Sequence, residues 1–80
     1  MKGRIRFLNL QNGLAAVETK EGFSVFEVLE RCAIDISDEV EGPLDVPGEA
    51  PLHNLTRRES FAASILRVRC SRLEAMETME

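Results

Sequence analysis

Residues 5–17 read Ile5-Arg6-Phe7-Leu8-Asn9-Leu10-Gln11-Asn12-Gly13-Leu14-Ala15-Ala16-Val17. Asn12-Gly13 lies between two apolar-rich runs, Ile5 to Leu10 and Leu14 to Val17. Both residues tolerate positive φ, and strand-forming residues flank them, so the stretch predicts a β-hairpin. The chain therefore opens as a β-meander. Upstream, Lys2, Arg4 and Arg6 alternate with Gly3, Ile5 and Phe7, which puts the basic side chains on one face of a strand running to Gln11. The alternation slips at Leu8, Asn9 and Leu10, and a slip of this kind predicts a bulge or strong twist.

Downstream, Leu14 to Thr19 reads as a second strand and Lys20-Glu21-Gly22 as a second turn. Phe23 to Leu29 reads as a third strand through Val25, Phe26 and Val28, although Glu27 and Arg31 also suit a helix reaching Cys32. A short fourth strand is expected at Val40. Gly42, Pro43, Pro47, Gly48 and Pro51 mark Gly42 to Pro51 as a loop. Leu52 to Thr56 is a short extended candidate. Ser60 to Val68 favours a strand with apolar groups on both faces, while Ala62, Ala63 and Leu66 keep a helix as the alternative. Ser71-Arg72-Leu73-Glu74 has the form of a capping box and predicts a short final helix. Fraying is expected beyond Met76.

Eighty residues allow one small domain and one modest core. With 44% hydrophobic and 30% charged residues, the composition is that of a folded chain. The net charge of −4 does not announce a nucleic-acid binder, but the charge is unevenly placed. From Glu18 to Glu49, ten acids stand against Lys20 and Arg31, whereas residues 1–17 carry Lys2, Arg4 and Arg6 with no acid. Trp and Tyr are absent, which leaves Phe7, Phe23, Phe26 and Phe61 as the aromatic residues. Cys32 and Cys70 lack metal-ligand spacing. Met1 leads straight into a strand pattern and no apolar run approaches membrane-spanning length, so a cytoplasmic protein with reduced thiols and no membrane partner is expected.

From Lys2 to Val28 the chain resembles a cold-shock domain, a five-stranded barrel of the OB-fold type. Lys2-Gly3-Arg4-Ile5-Arg6-Phe7-Leu8-Asn9 is similar to the family's opening Lys-Gly-x-Val-Lys-Trp-Phe-Asn. Asn12-Gly13-Leu14-Ala15-Ala16-Val17 stands where the family has Lys-Gly-Phe-Gly-Phe-Ile. Val25-Phe26-Glu27-Val28-Leu29 stands where it has Val-Phe-Val-His-Phe. More loosely, Ser37-Asp38-Glu39-Val40 and Leu52-His53-Asn54-Leu55 resemble its fourth and fifth strands. The resemblance implies an all-β fold: a small five-stranded, OB-like barrel over residues 1–56. Residues 57–80 would be a C-terminal extension, an extra strand, a short helix or both, packing on the barrel.

The family binds single-stranded RNA and DNA by stacking bases on surface aromatics while basic groups follow the backbone. Carried over by position, Lys2, Arg4, Arg6, Phe7, Asn9 and Phe26 are the candidate nucleic-acid-binding residues. The departures are large, because the motif's lysine is Asn12, its two phenylalanines are Leu14 and Ala16, and its histidine and last phenylalanine are Val28 and Leu29. Each base stacked on an aromatic ring contributes about 1–3 kcal/mol, so weakened or altered binding is expected. The replacements instead predict an aliphatic patch of Phe7, Leu14, Ala16, Phe26, Val28 and Leu29. Such a patch calls for a cover, which the extension, another protein or a second copy would supply.

No catalytic constellation emerges, and an enzyme is not expected. Glu18 with Glu21, and Glu27 with Glu30, read as solvated carboxylates rather than an acid–base pair. Asp35, Asp38, Glu39 and Glu41 lack the pattern and glycine of a calcium loop. His53 has no ligand partner at metal spacing, so neither a metal nor a cofactor is expected.

Overall fold

The computed structural model describes all 80 residues, Met1–Glu80. Six strands and one helix follow in order: β1 (Lys2–Asn9), β2 (Leu14–Thr19), β3 (Gly22–Val28), β4 (Glu39–Glu41), β5 (Gly48–Asn54), β6 (Glu59–Cys70) and α1 (Arg72–Thr78). The strands close into a barrel in the order β1-β2-β3-β6-β5-β4, every pair antiparallel. The all-β class and the small barrel expected from the sequence hold. The strand count is six rather than five, because the first part of residues 57–80 is a wall of the barrel. β6 runs between β3 and β5 and sends Phe61, Ala63 and Ile65 into the core.

The β1–β2 hairpin forms, with a longer loop than a two-residue Asn-Gly turn. Asn9 pairs with Leu14, leaving Leu10 to Gly13 as a four-residue loop. Asn9 Oδ1 accepts from the Gln11 amide at 3.1 Å and Asn12 Oδ1 from the Leu14 amide at 3.2 Å, two turns closed by side chains in place of ladder bonds. Gly13 takes φ 71°, a left-handed conformation that glycine adopts without steric cost. The register shift in β1 lies between Ile5 and Phe7, earlier than the slip at Leu8 suggests. Arg6 is the extra residue of this bulge, so Ile5 and Leu8 pack inward while Phe7 packs on the outer face. Gly3 is required by a close approach, since a Cβ there would stand 2.6 Å from Val17 Cγ2 and 2.8 Å from the Glu18 carbonyl oxygen.

β5 begins inside the segment expected to be a loop and carries Pro51. Pro51 sits opposite Ala62, whose amide donates to Glu30 and whose carbonyl accepts from Leu29. The Pro51–Ala62 pair thus exchanges no ladder bond, and the missing donor of proline costs the sheet nothing there.

Two apolar clusters result. The barrel interior holds Ile5, Ala15, Val17, Phe26, Val40, Leu44, Leu52, Phe61, Ala63 and Ile65. Leu44 comes from the β4–β5 loop, where its carbonyl accepts from Ser24 Oγ at 2.6 Å. The second cluster lies outside the barrel wall, where Ala16, Phe23, Val25 and Cys70 meet Ala75 and Met79 of the α1 segment.

Below the barrel wall, Asp38 ties the β3–β4 connection to the β5–β6 turn. Its Oδ2 accepts from the Asp35 amide, from Asn54 Nδ2 at 2.9 Å and from Arg57 Nε at 2.7 Å. Burial alone would raise this carboxyl. The hydrogen bonds from Asn54, Arg57 and Asp35 outweigh it and hold Asp38 below its ordinary value.

Candidate interaction surfaces

The candidate binding residues do not share one face. Lys2, Arg4 and Arg6 are exposed on the outside of β1. The Arg4 guanidinium donates to the Ser37 carbonyl at 2.8 Å and lies 3.8 Å from Glu39. Arg6 Nε donates to Glu18 at 2.9 Å. Two of the three basic groups therefore already have acidic partners.

Phe7 is half-buried. Its ring stacks on Phe23 at 6.0 Å between centroids, and the Arg72 guanidinium lies over it at 5.2 Å. With Arg6 and Glu18, these groups line a cleft at the start of α1. Asn9 holds the far end of the helix segment, with Nδ2 donating to the Met79 carbonyl at 3.0 Å.

Phe26 must be removed from both candidate surfaces. It is fully buried inside the barrel, with its ring 5.8 Å from that of Phe61. β3 alternates regularly along its pairing with β2, so Phe23 and Val25 pack outside while Phe26 and Val28 turn towards the interior cluster. The expected aliphatic patch is accordingly divided. Phe7, Leu14 and Ala16 lie on the outer face under the α1 segment, Ala16 with no exposure at all. Val28 and Leu29 lie at the hairpin end of the barrel.

The cover over the outer face is the end of the extension. Ser71 is the N-cap of α1. Its hydroxyl accepts from the Glu74 amide at 3.1 Å and its amide donates to the Glu74 carboxylate at 2.9 Å, the reciprocal bonds that the sequence predicts. The Ser71 amide also holds the Glu74 carboxyl below its ordinary value. Seven residues make a marginal helix in water, and docking secures this one. Ala75 and Met79 face the sheet, and Asn9 and Asn12 both donate to the Met79 carbonyl. Arg67 reaches Thr78 and Glu74 from the neighbouring strand. The tail beyond Met76 is not frayed as the sequence suggests, because Met79 is buried on Leu14, Phe23 and their neighbours.

The open apolar surface lies elsewhere. Leu8, Leu10, Val28, Cys32 and Ile34 line a groove beside Gly13, together with the charged Glu30 and Arg31. Leu10 is 75% exposed. Leu8, Val28, Cys32 and Ile34 are half-buried and pack on the interior cluster, so the groove floor is the end of the core itself. The sequence reading placed Val28 on a binding surface but missed Leu8, Leu10, Cys32 and Ile34. The run of broken alternation at Leu8 and Leu10 is the signal that marks them. Cys32 and Cys70 are free thiols. Burial pushes both up, helped at Cys32 by the nearby Glu59 and Glu30 carboxylates, so neither is an activated nucleophile.

No group of three or more His, Cys, Asp or Glu side chains is placed to hold a metal ion. No helix is long and apolar enough to cross a membrane. Comparison with protein-family models, with curated proteins and with solved structures finds no match to this chain.

Proposed function

We propose that this chain is a protein-interaction module whose docking surface is the groove of Leu8, Leu10, Val28, Cys32 and Ile34. The observation that carries the reading is the contrast between two apolar surfaces. The centre of the outer face of β1–β3, at Ala16, Phe23 and Val25, is covered by the chain's own C-terminal segment. The groove at the hairpin end is open, with a leucine projecting at its lip. An apolar hollow of this kind with charged residues beside it has the make-up of a polypeptide-binding surface. A photoreactive residue at the exposed Gln11, beside Leu10, tests the reading. A discrete protease-sensitive adduct is expected. A nuclease-sensitive adduct, or none, overturns it.

The second reading keeps the nucleic-acid role suggested by the cold-shock resemblance, and one observation favours it. Phe7 presents a part-exposed ring with Arg72 over it and Arg6 beside it. A single-stranded base displacing Arg72 would stack there. One stack contributes about 1–3 kcal/mol, Glu18 in the same cleft repels phosphate, and Phe26 supplies no second platform. Binding of this strength lies far above the micromolar range and falls steeply with salt. A titration with single-stranded oligonucleotides at low salt tests it. No binding, or binding indifferent to Arg6→Glu, removes it.

A further inference from the structure

We infer that the occupant of the groove is a second copy of this chain, related by a two-fold axis. The inference rests on the protein-interaction reading above and names its partner.

A two-fold interface is built from one patch that is complementary to itself: if residue i meets residue j, then j meets i. The groove carries both halves of such a patch. Leu10 is the projecting half, on the β1–β2 loop and 75% exposed. The receiving half is the hollow beside it, floored by Val28, Cys32 and Ile34. The polar groups divide in the same way. Glu30 and Arg31 are sequence neighbours of opposite sign on the same groove. One Glu30 oxygen accepts the Ala62 amide at 2.9 Å, which steadies the carboxylate and leaves its other oxygen available. Arg31, like Arg58 and Arg72, makes no ion pair within the chain, and of these three it is the one on the groove. In the two-fold pair, Leu10 of each copy enters the hollow of the other, and Arg31 of each copy meets Glu30 of the other. Paired this way, an exposed leucine and an unpaired guanidinium both find partners in a surface that the chain itself provides.

Sedimentation equilibrium from low micromolar to about millimolar chain concentration reads the outcome. The expected result is a mass rising from one chain to two. Leu10→Glu, at an exposed position that folding does not need, raises the dissociation constant by at least about tenfold. Glu30→Arg and Arg31→Glu each weaken the pair. Mixing these two variants restores it, because Arg31 of one then meets Glu30 of the other and the two introduced residues, opposite in sign, also face each other. Alkylation of Cys32 slows as the concentration rises, while Cys70, covered by α1, stays slow throughout. A mass of one chain over the whole range overturns the inference, as does a dimer indifferent to Leu10→Glu and to the charge exchange. The Gln11 photo-adduct separates the two levels. A polypeptide adduct of another mass with a monomeric chain refutes the second copy and leaves the protein-interaction reading standing. The absence of any polypeptide adduct refutes both.

Discussion

Asn12 Nδ2 donates to the main-chain carbonyl of Met79 at 3.2 Å, joining the first hairpin to the end of the last helix across 67 positions of sequence. Asn9 donates to the same oxygen at 3.0 Å. A helix ends with carbonyls that have no partner within it, and here the hairpin supplies two donors at that end. The residue standing where the cold-shock motif has a lysine therefore serves as a clasp for the helix.

This clasp predicts a local effect. Asn9→Ala with Asn12→Ala removes both donors and two loop-closing acceptors, and is expected to destabilise the chain by about 1–3 kcal/mol in total. Native-state hydrogen exchange should show the α1 amides opening faster while the amides of β5 and β6 keep their protection. Equal loss of protection everywhere would contradict the clasp.

Met79 is the apolar counterpart. Met79→Ala removes the side chain that closes the outer cluster. It is expected to lower stability by about 1–2 kcal/mol, below the range for a fully enclosed methionine because this one sits at an edge. Phe7, Leu14 and Phe23 then become accessible, so binding of an apolar fluorescent dye should increase. Urea unfolding and dye fluorescence check the two effects.

How far the sequence discloses this arrangement depends on whether a feature is local. The hairpin at Asn12-Gly13, the turn at Gly22 and the Ser71–Glu74 capping box all depend on residues within five positions of one another, and the sequence predicts each. The side of the wall on which a β3 residue points is not local. Val-Phe-Glu-Val reads as a surface motif by resemblance, yet Phe26 and Val28 share the face that closure against β6, forty positions away, makes the interior. Alternation fixes that Phe26 and Val28 lie opposite Phe23 and Val25, but which of the two faces becomes the interior is decided only when the barrel closes. The strand through Pro51 escaped the sequence for a related reason, since only the pairing with Ala62 reveals that its amide is not needed. The burial of Met79 is likewise a contact between chain ends.

Asp38 makes stability depend on pH. Its carboxyl is held below the ordinary value by Asn54, Arg57 and the Asp35 amide against the opposing effect of burial. A depressed folded-state value means that the charged form is favoured by folding. The contribution is therefore fully present above the unfolded value near ~3.9 and is lost as pH falls through the lower folded value. Asp38→Asn is expected to cost about 2–3 kcal/mol at neutral pH, because it removes the charge from three hydrogen bonds. Its stability should also fall less steeply than wild type below about pH 4. Thermal melts of both proteins from pH 7 to pH 2 check the sign. A variant with an unchanged acid limb would show that Asp38 is not the group responsible.

Phe7 and Phe26 provide the sharpest separation between the resemblance and the fold. By position in the motifs both are surface aromatics, and as such their removal would weaken a ligand while leaving the barrel nearly intact. In the barrel they occupy opposite sides of the wall. Phe26 is fully buried against Phe61, so Phe26→Ala empties the centre of the core and is expected to cost about 3–5 kcal/mol, a large part of the stability of a small domain. Phe7 is half-buried between Phe23 and Arg72. Phe7→Ala should cost about 1–2 kcal/mol, allowing for its partial exposure, and should loosen α1 more than the barrel. Urea unfolding of the two variants measures the difference. A clear gap, with Phe26→Ala at or near unfolding and Phe7→Ala still cooperative, follows from β3 turning Phe26 inward. Equal and small effects would return Phe26 to the outside and with it the aromatic face that nucleic acid requires.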